Sequence, residues 1–286
     1  MTPKRKIKIV QKTGRDNLFE CKDNPRTCDF KEKPGNEICM KTVELNLNIL
    51  DESVLFQIDV IPKMIKLSEI VPLAQELSSK ISNIIQEKLF SKGITIPCRK
   101  GCSACCSYLV PLSVPEAFYL REKVLAMPED TRKTALNSFL ASARIILKEK
   151  PEGLNLLEID QLSKWYSNLE LPCPFLSDNI CSIYDIRPIA CREYLVTGSE
   201  IFCNPAWQAD NHKVDLPASV LECLGLLSAE FEQTDIEAIM MPLALPWAEE
   251  NLDRDMKTWP APEIVEHLID IIKKEASKKS YSTIMS

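Results

Sequence analysis

The sequence predicts a mainly α-helical fold with a small N-terminal β-hairpin and two cysteine-rich metal-binding loops. Three observations lead to this prediction: apolar alternation confined to residues 41–62, helical periodicity over most of the later chain, and two cysteine groups in proline-broken segments. The chain has 286 residues, 45% hydrophobic and 27% charged, as in a globular protein with a sizeable core. We expect a poorly ordered polar tail over 1–40, the hairpin over 41–62 and a helical cysteine-cluster domain over 63–280.

The hairpin is predicted from two alternating runs around a short polar connection. The apolar positions are Val43, Leu45, Leu47 and Ile49 in the first run and Val54, Phe56, Ile58 and Val60 in the second. Asp51, Glu52 and Ser53 lie between the runs, and Pro62 follows the second. Alternation of this kind places one apolar face of the hairpin against a core.

The helices are predicted from apolar residues at the i, i+3, i+4, i+7 spacing. The first helix follows from the series Ile70, Leu73, Ala74, Leu77, Ile81, Ile84, Ile85 and Leu89. Ser113 and Glu116 form a capping box that opens a second helix, which continues to about Leu125. The remaining predicted helices lie between Pro128 and Lys148, over 155–168, near 216–232 and through 264–272.

The first cysteine group places Cys98, Cys102, Cys105 and Cys106 within one short loop. A buried free cysteine packs as a small hydrophobe, which does not account for four so close together. The two-residue spacing of Cys102 and Cys105 lets one loop present two thiolates to one metal ion, and Cys98 is close enough to join them. Adjacent side chains point apart, so Cys106 is expected either beside the ligands or as a ligand of a cluster.

A second cysteine group supplies Cys173, Cys181, Cys191 and Cys203. Eight thiolates exceed the needs of one tetrahedral zinc ion and fit two closed sites or one polynuclear cluster. The chain has only two histidines, so the donor set is essentially sulfur, which favours zinc, copper(I) or iron–sulfur. His212 is an alternative ligand and His267 a predicted surface residue. The remaining cysteines are Cys21, Cys28 and Cys39, expected as unpaired thiols in the tail, and Cys223 on a predicted helix.

Charged residues flank both groups. Arg99 and Lys100 lie in the first, and Arg187 and Arg192 in the second, where they would lower thiolate pKa values and offset cluster charge. The polar residues beside the second group are Asp178, Asp185, Glu193 and Tyr194, which could approach the metal or be solvated in a loop. No general base or nucleophile stands out once the cysteines are assigned to metal.

Several classes of function are disfavoured. The net charge is −6, which disfavours nucleic-acid binding. No apolar run approaches the length of a membrane span. The basic N-terminal residues are not followed by the apolar region of a signal peptide. We therefore expect a cytoplasmic location, where dense cysteines indicate metal or redox sites. The spacing Cys98-x3-Cys102-x2-Cys105 also occurs in radical S-adenosylmethionine enzymes, but those require β/α alternation, which is missing here. No GxGxxG turn or P-loop occurs.

The stretches CRKGCSACCSYLVPLSVPEA and CPFLSDNICSIYDIRPIACREYLVTG resemble the YkgJ-type cysteine-cluster family, described as zinc- or iron-chelating. The resemblance extends over about 41–250. The matching positions are the four cysteines of the first group with Cys173, Cys181, Tyr184, Arg187, Pro188, Cys191 and Arg192. It implies that Tyr184, Arg187 and Arg192 lie beside the metal ligands.

Three functional hypotheses follow. The first is a metal-binding protein whose eight cysteines hold iron, as an iron–sulfur cluster, or alternatively zinc. The second comes from the resemblance, since flagellin lysine N-methylase is a relative of this class. It is a metal-dependent modification enzyme using S-adenosylmethionine. The third is a module stapled by two zinc ions that serves as an interaction surface. The sequence identifies no protein partner or substrate.

Overall fold

The computed structural model describes residues 7–10, 40–151, 159–203 and 212–284. Cys21, Cys28 and Cys39 lie outside these residues. The domain boundaries stay a prediction, and so does the unpaired state of the three tail thiols.

The predicted hairpin is present at the start of the continuous chain. Strand β2 (Lys41–Ile49) pairs antiparallel with β3 (Glu52–Val60), and a further strand β1 (Ile7–Val10) pairs with the other edge of β3. The connection is tighter than predicted, because Leu50 and Asp51 have positive φ angles of 50° and 67° and form the turn alone. Strand β1 was not anticipated within the predicted tail.

Helices make up most of the remaining structure, as predicted. The longer ones are α1 (Val71–Ser91), α2 (Val114–Leu125), α3 (Glu129–Glu149), α4 (Ile159–Asn168), α6 (Val220–Glu232) and α9 (Ala261–Ile284). The short ones are α5 (Ile189–Glu193), α7 (Ala244–Glu250) and α8 (Leu252–Asp255). Within the described ranges, no helix has the length and apolar character needed to span a membrane.

Three pairs of two-residue strands are present in the described residues, of which the first two join distant parts of the chain and the third is a local hairpin. They are β4 (Met64–Ile65) with β9 (Trp259–Pro260), β5 (Pro111–Leu112) with β8 (Ile239–Met240), and β6 (Leu176–Ser177) with β7 (Ile180–Cys181). The β5–β8 pair is extended by a hydrogen bond from the Met241 amide to the Val110 carbonyl. These pairs bring the chain that follows the first cysteine group against the C-terminal third of the protein.

Two hydrophobic cores flank the cysteine-rich segments. The larger core lies between the apolar face of the sheet and helices α1, α6 and α9, and Cys98 packs at its edge. The smaller core lies among α2, α3 and α7, and Cys173, Cys181 and Cys191 pack against it. Ile186 contacts both cores. The cysteine groups therefore meet where the two cores adjoin.

The second cysteine group is more regular than predicted. The prediction of a mostly irregular segment is wrong for the β6–β7 hairpin and for α5, whereas the single helical turn expected near 183–186 is confirmed as a 3-10 helix at Tyr184–Ile186. The hairpin turn uses Asp178 and Asn179 with φ angles of 50° and 61°, which these short polar residues tolerate. Helix α5 begins directly after Pro188, whose fixed φ suits a helix start.

Candidate metal centre

The first cysteine loop is built from consecutive turns. The Cys102 amide donates to the Arg99 carbonyl (3.0 Å) and the Cys106 amide to the Ser103 carbonyl (2.9 Å). Gly101 has a φ of +90°, a conformation that a side chain would strain. The turns place the four half-buried cysteines close together in one short loop, as the spacing predicts.

The two cysteine groups are joined directly by their backbones. The Cys173 amide donates to the Cys106 carbonyl at 2.6 Å, which fixes the start of the second group beside the end of the first. The Ser103 hydroxyl donates to the Asn179 side-chain oxygen at 3.3 Å, so the β6–β7 turn also contacts the first loop. Cys203 is held separately, because its carbonyl accepts a hydrogen bond from the Tyr194 hydroxyl at 3.1 Å. The structure thus brings both groups to one place.

Cys105 is electrostatically coupled to two sets of thiols. We name Cys98, Cys102 and Cys203 the first thiol set, and Cys173, Cys181 and Cys191 the second thiol set. After burial, the nearby thiols raise these pKa values: Cys102 raises those of Cys98 and Cys203, Cys181 raises those of Cys173 and Cys191, and Cys105 raises all four. Cys105 also donates a hydrogen bond to the adjacent Cys106. The sequence grouped Cys203 with the second loop, whereas the fold places it with the first.

Five thiols of this centre have raised pKa values, namely Cys98, Cys105, Cys173, Cys191 and Cys203. Burial raises the pKa of Cys173 to about 11 and that of Cys203 to about 12. Burial also raises the pKa values of Cys98 and Cys191, and the hydrogen bond to Cys106 followed by burial raises that of Cys105. A metal ligand is the thiolate, so an ion entering this centre must displace protons.

Backbone amides are aimed at the thiol sulfurs. The Val196 amide donates to Cys98, and the Phe175 and Leu176 amides donate to Cys173, in each case favouring the thiolate. Amides aimed at sulfur stabilise negative charge on it and tune a bound metal. The second group therefore begins with a thiol already positioned by its own turn.

Arg187 lies close to thiols of both sets. It influences the pKa of Cys98, Cys105 and Cys191, and its guanidinium lies 4.2 Å from the centroid of the Tyr184 ring. Its Nε is buried, and no described residue accepts a hydrogen bond from it. Buried donors are normally paired, so an unpaired N–H beside thiols suits an anionic metal–thiolate group. The donor set and this orphaned donor fit a thiolate-bound metal.

Arg192, by contrast, is hydrogen-bonded to the loop before α5 and to α1. Its guanidinium donates to the Arg187 carbonyl (2.9 Å), the Asp185 carbonyl (2.8 Å) and the Ser79 hydroxyl (2.6 Å). These bonds hold the loop before α5 closed and dock it on α1. Lys100 lies 5.7 Å from the Tyr184 ring, and Arg99 is an exposed partner of Glu200 at 3.6 Å.

Sequence reasoning missed the polar face of α1 that holds the second group. We name Gln75, Ser78, Ser79 and Ser82 the α1 polar stripe. Gln75 donates to the carbonyls of Ile186 and Arg187 at 3.2 Å, and Ser82 donates to the Arg192 carbonyl at 3.2 Å. These residues recur at helical spacing between the apolar positions, so the sequence does contain a signal for a second, polar contact face of α1.

Two buried glutamates were also missed as organisers of the site. Glu116 was predicted only as half of a capping box, which is confirmed, but its other oxygen accepts from the Ile189 amide at 2.8 Å. It therefore caps α2 and α5 together. Glu193 accepts from the Ser219 hydroxyl (2.8 Å) and the Val220 amide (2.7 Å) and so caps α6, and burial raises its pKa to about 7.

The remaining candidates separate from the centre. His212 stacks on Phe202 with ring centroids 3.7 Å apart, His267 is exposed and bonded to Glu230, and Cys223 is buried in the larger core. Among the residues that the structure describes, no three Cys, His, Asp or Glu side chains stand at metal-ligand distances from one point. The thiols are gathered around Cys105 without converging on a single position.

A comparison with protein-family models matches the segment that contains these cysteines. Residues 97–213 match the CxxCxxCC family model, whose description is "Putative zinc- or iron-chelating domain". This segment is therefore similar to that family. The matched segment, which we call the CxxCxxCC domain, covers less than half of the chain. It contains eight cysteines, which are the six of the two thiol sets, Cys105 and Cys106. Cys102, Cys105 and Cys106 follow the CxxCC half of the family's name, while Cys98 lies one residue further upstream than the literal pattern. The match supports metal binding.

Comparison with curated proteins and with solved structures found no match to the chain.

Proposed function

We propose that the CxxCxxCC domain binds iron through its eight cysteines as an iron–sulfur cluster in a cytoplasmic protein. The observation that carries this proposal is that Cys105 lies close enough to both thiol sets to add to the effect of burial on the pKa of Cys98 and Cys203 in the first set and of Cys173 and Cys191 in the second. Two independent zinc sites would each use their own four thiols, whereas a thiol shared between two sets suits a polynuclear centre. A bound iron–sulfur cluster would supply electron transfer or a Lewis-acidic iron.

The charges around the thiols support an anionic centre. Several thiolates on one or two metal ions leave excess negative charge, which the protein must offset. Arg187 faces thiols of both sets and holds an unpaired buried N–H, and it is kept in place by the Tyr184 ring and by Arg192. We assign Arg187 the role of a hydrogen-bond donor to a metal-bound sulfur, with Tyr184 and Arg192 positioning it.

Anaerobic purification followed by metal analysis and Mössbauer spectroscopy tests the proposal. We expect iron with acid-labile sulfide and a visible absorption that bleaches on reduction. Colourless protein containing only zinc would contradict the iron assignment, and folded protein that takes up no metal would contradict metal binding altogether.

Cysteine variants test whether the two sets form one centre. Cys105→Ser should lower the metal content of the whole centre, since Cys105 adjoins both sets, and Cys106→Ser should lower it as well, since Cys106 is one of the eight proposed ligands. Cys223→Ser is the matched control, because this thiol is buried and its pKa is shifted by no cysteine among the described residues. Loss of half the metal in Cys105→Ser, with the rest unchanged, would favour two separate sites.

The zinc-stapled alternative is favoured by one observation. The two cysteine groups are tied into the fold by short hydrogen bonds at Cys173 and Cys203, so a metal there would lock loops between the two cores. Structural zinc contributes folding energy directly, so chelation should then unfold the domain. The S-adenosylmethionine-dependent alternative stays a prediction of the resemblance, and calorimetry with that compound on metal-loaded protein tests it.

A further inference from the structure

A cavity of about 370 Å³ opens directly beside the thiol centre. Its inner end is formed by Cys105 and Cys191, and its outer end lies between α4, the start of α6 and the end of α9. This volume is in the range of pockets that bind small molecules. A ligand in the cavity would lie against the sulfurs that we assign to the metal.

The wall of the cavity is mainly apolar with a few polar groups. Leu109, Val110 and Leu216 contribute apolar surface, and the Tyr108 ring extends towards the thiols. The Tyr108 hydroxyl is a hydrogen-bond donor on this wall. The side chain of Glu193 also borders the cavity, but its oxygens already accept hydrogen bonds from α6. The interior therefore suits an uncharged, largely apolar group.

The mouth of the cavity carries both signs of charge. Lys213 and Lys279 supply two ammonium groups, and Asp215 and Glu222 supply two carboxylates. Lys279 is held there by a hydrogen bond from its ammonium to the Leu216 carbonyl at 3.2 Å. A simple anion or a simple cation would meet repulsion from half of this rim. A ligand with a carboxylate and an ammonium on the same carbon would be attracted by both halves, because the lysines attract its carboxylate and the acidic residues attract its ammonium.

We propose that this cavity binds a small amphiphilic zwitterion of the α-amino acid class, with its charged end at the rim and its apolar side chain towards Cys105 and Cys191. The rim residues carry the selectivity for the zwitterion, and the apolar wall carries the selectivity for the side chain. Only the contact of the side chain with a bound metal rests on the proposed function; the binding itself does not.

Calorimetric titration with L-leucine and L-phenylalanine tests the proposal. N-acetyl-L-leucine lacks the ammonium and L-leucinamide lacks the carboxylate, so each removes one half of the charge match. We expect both analogues to bind about tenfold more weakly than L-leucine. We also expect L-leucine to bind about tenfold more weakly to the Lys213→Ala and Asp215→Ala variants than to the unsubstituted protein. These rim residues are exposed, so the variants should fold. Lys148→Ala, an exposed lysine outside the cavity, should leave the affinity unchanged.

The titrations are carried out on metal-loaded and on chelator-treated protein whose metal content is measured separately. Binding of L-leucine to both forms, with the predicted order of analogues, supports the cavity assignment even if no iron is found. Equal binding of L-leucine and its analogues, unchanged affinity in both rim variants, or no binding of either amino acid to folded metal-loaded protein would overturn it. A change in the visible absorption of the metal centre on binding would add that the side chain reaches the metal.

Discussion

Replacement of Glu116 by glutamine tests whether the second cysteine group depends on a single buried carboxylate. Glu116 is 2% exposed, and its two oxygens face donors on opposite sides. One oxygen accepts from the Ile189 amide at 2.8 Å, and the other accepts from the Ser113 hydroxyl at 2.9 Å and its amide at 3.2 Å. Ile189 begins the helix that carries Cys191, so the carboxylate links α2 to a candidate ligand.

The magnitude follows from the chemistry of the amide. Glutamine retains one acceptor oxygen and replaces the other with an NH2 group, which would face a backbone N–H or the Ser113 side. At least one buried donor loses its acceptor, at a cost of roughly 1–3 kcal/mol in the free energy of unfolding. If the Ile189 amide is the group left unpaired, α5 is loosened and metal affinity falls together with stability.

Urea unfolding and competition with a metal chelator measure the two effects. Glu122→Gln is the matched control, since this glutamate lies on the same helix with a side chain that is 63% exposed. The control should change the free energy of unfolding by less than about 0.5 kcal/mol. A Glu116→Gln protein as stable as the control, with unchanged metal affinity, would refute the linking role.

Further predictions concern the thiols, Arg187 and the α1 polar stripe. In the metal-free protein, burial raises the pKa of the Cys173 thiol from 9.0 to about 11, so this thiol binds its proton more tightly in the folded state. The free energy of unfolding should therefore fall as the pH rises between these two values. A series of urea unfolding curves that shows no pH dependence in this window would contradict the burial of the thiol. Arg187→Gln should weaken metal binding by about 10- to 100-fold in chelator competition, whereas Arg99→Gln, with a side chain 68% exposed, should have little effect. Gln75→Leu removes the donor that the Ile186 and Arg187 carbonyls share, and it should lower the free energy of unfolding by roughly 1–3 kcal/mol. The control Asn83→Leu, on the exposed side of α1, should not lower the free energy of unfolding by a comparable amount.

The elements that depend on local patterns were predictable. Helix α1 follows from its apolar spacing, and α2 follows from the capping box at Ser113 and Glu116. The hairpin follows from alternation, with an error of two residues in its turn because Leu50 does not look like a turn residue. Helix α5 was missed because five residues are too few to show a helical period.

The list of candidate ligands also came from the sequence, because cysteine spacing within one loop is a local property. All eight candidates fall inside the segment that matches the CxxCxxCC family. Their assignment to particular metal positions is not tested by the structure, in which the thiols are gathered without converging.

Only the tertiary structure decided how the thiols are shared. The linear order assigns Cys203 to the second loop, but packing places it with Cys98 and Cys102, and it places Cys105 between the two sets. The same packing makes Glu193, which was predicted to lie in a loop, the cap of α6. It also places the buried Arg187 Nε beside the thiols, where no acceptor from the described part of the chain bonds to it. These relationships join residues far apart in the chain, and their distances depend on how α1, α2 and α6 pack around two cores. Residue spacing along the sequence constrains a few consecutive residues at a time, so it specifies which side chains can bind a metal but not which of them meet.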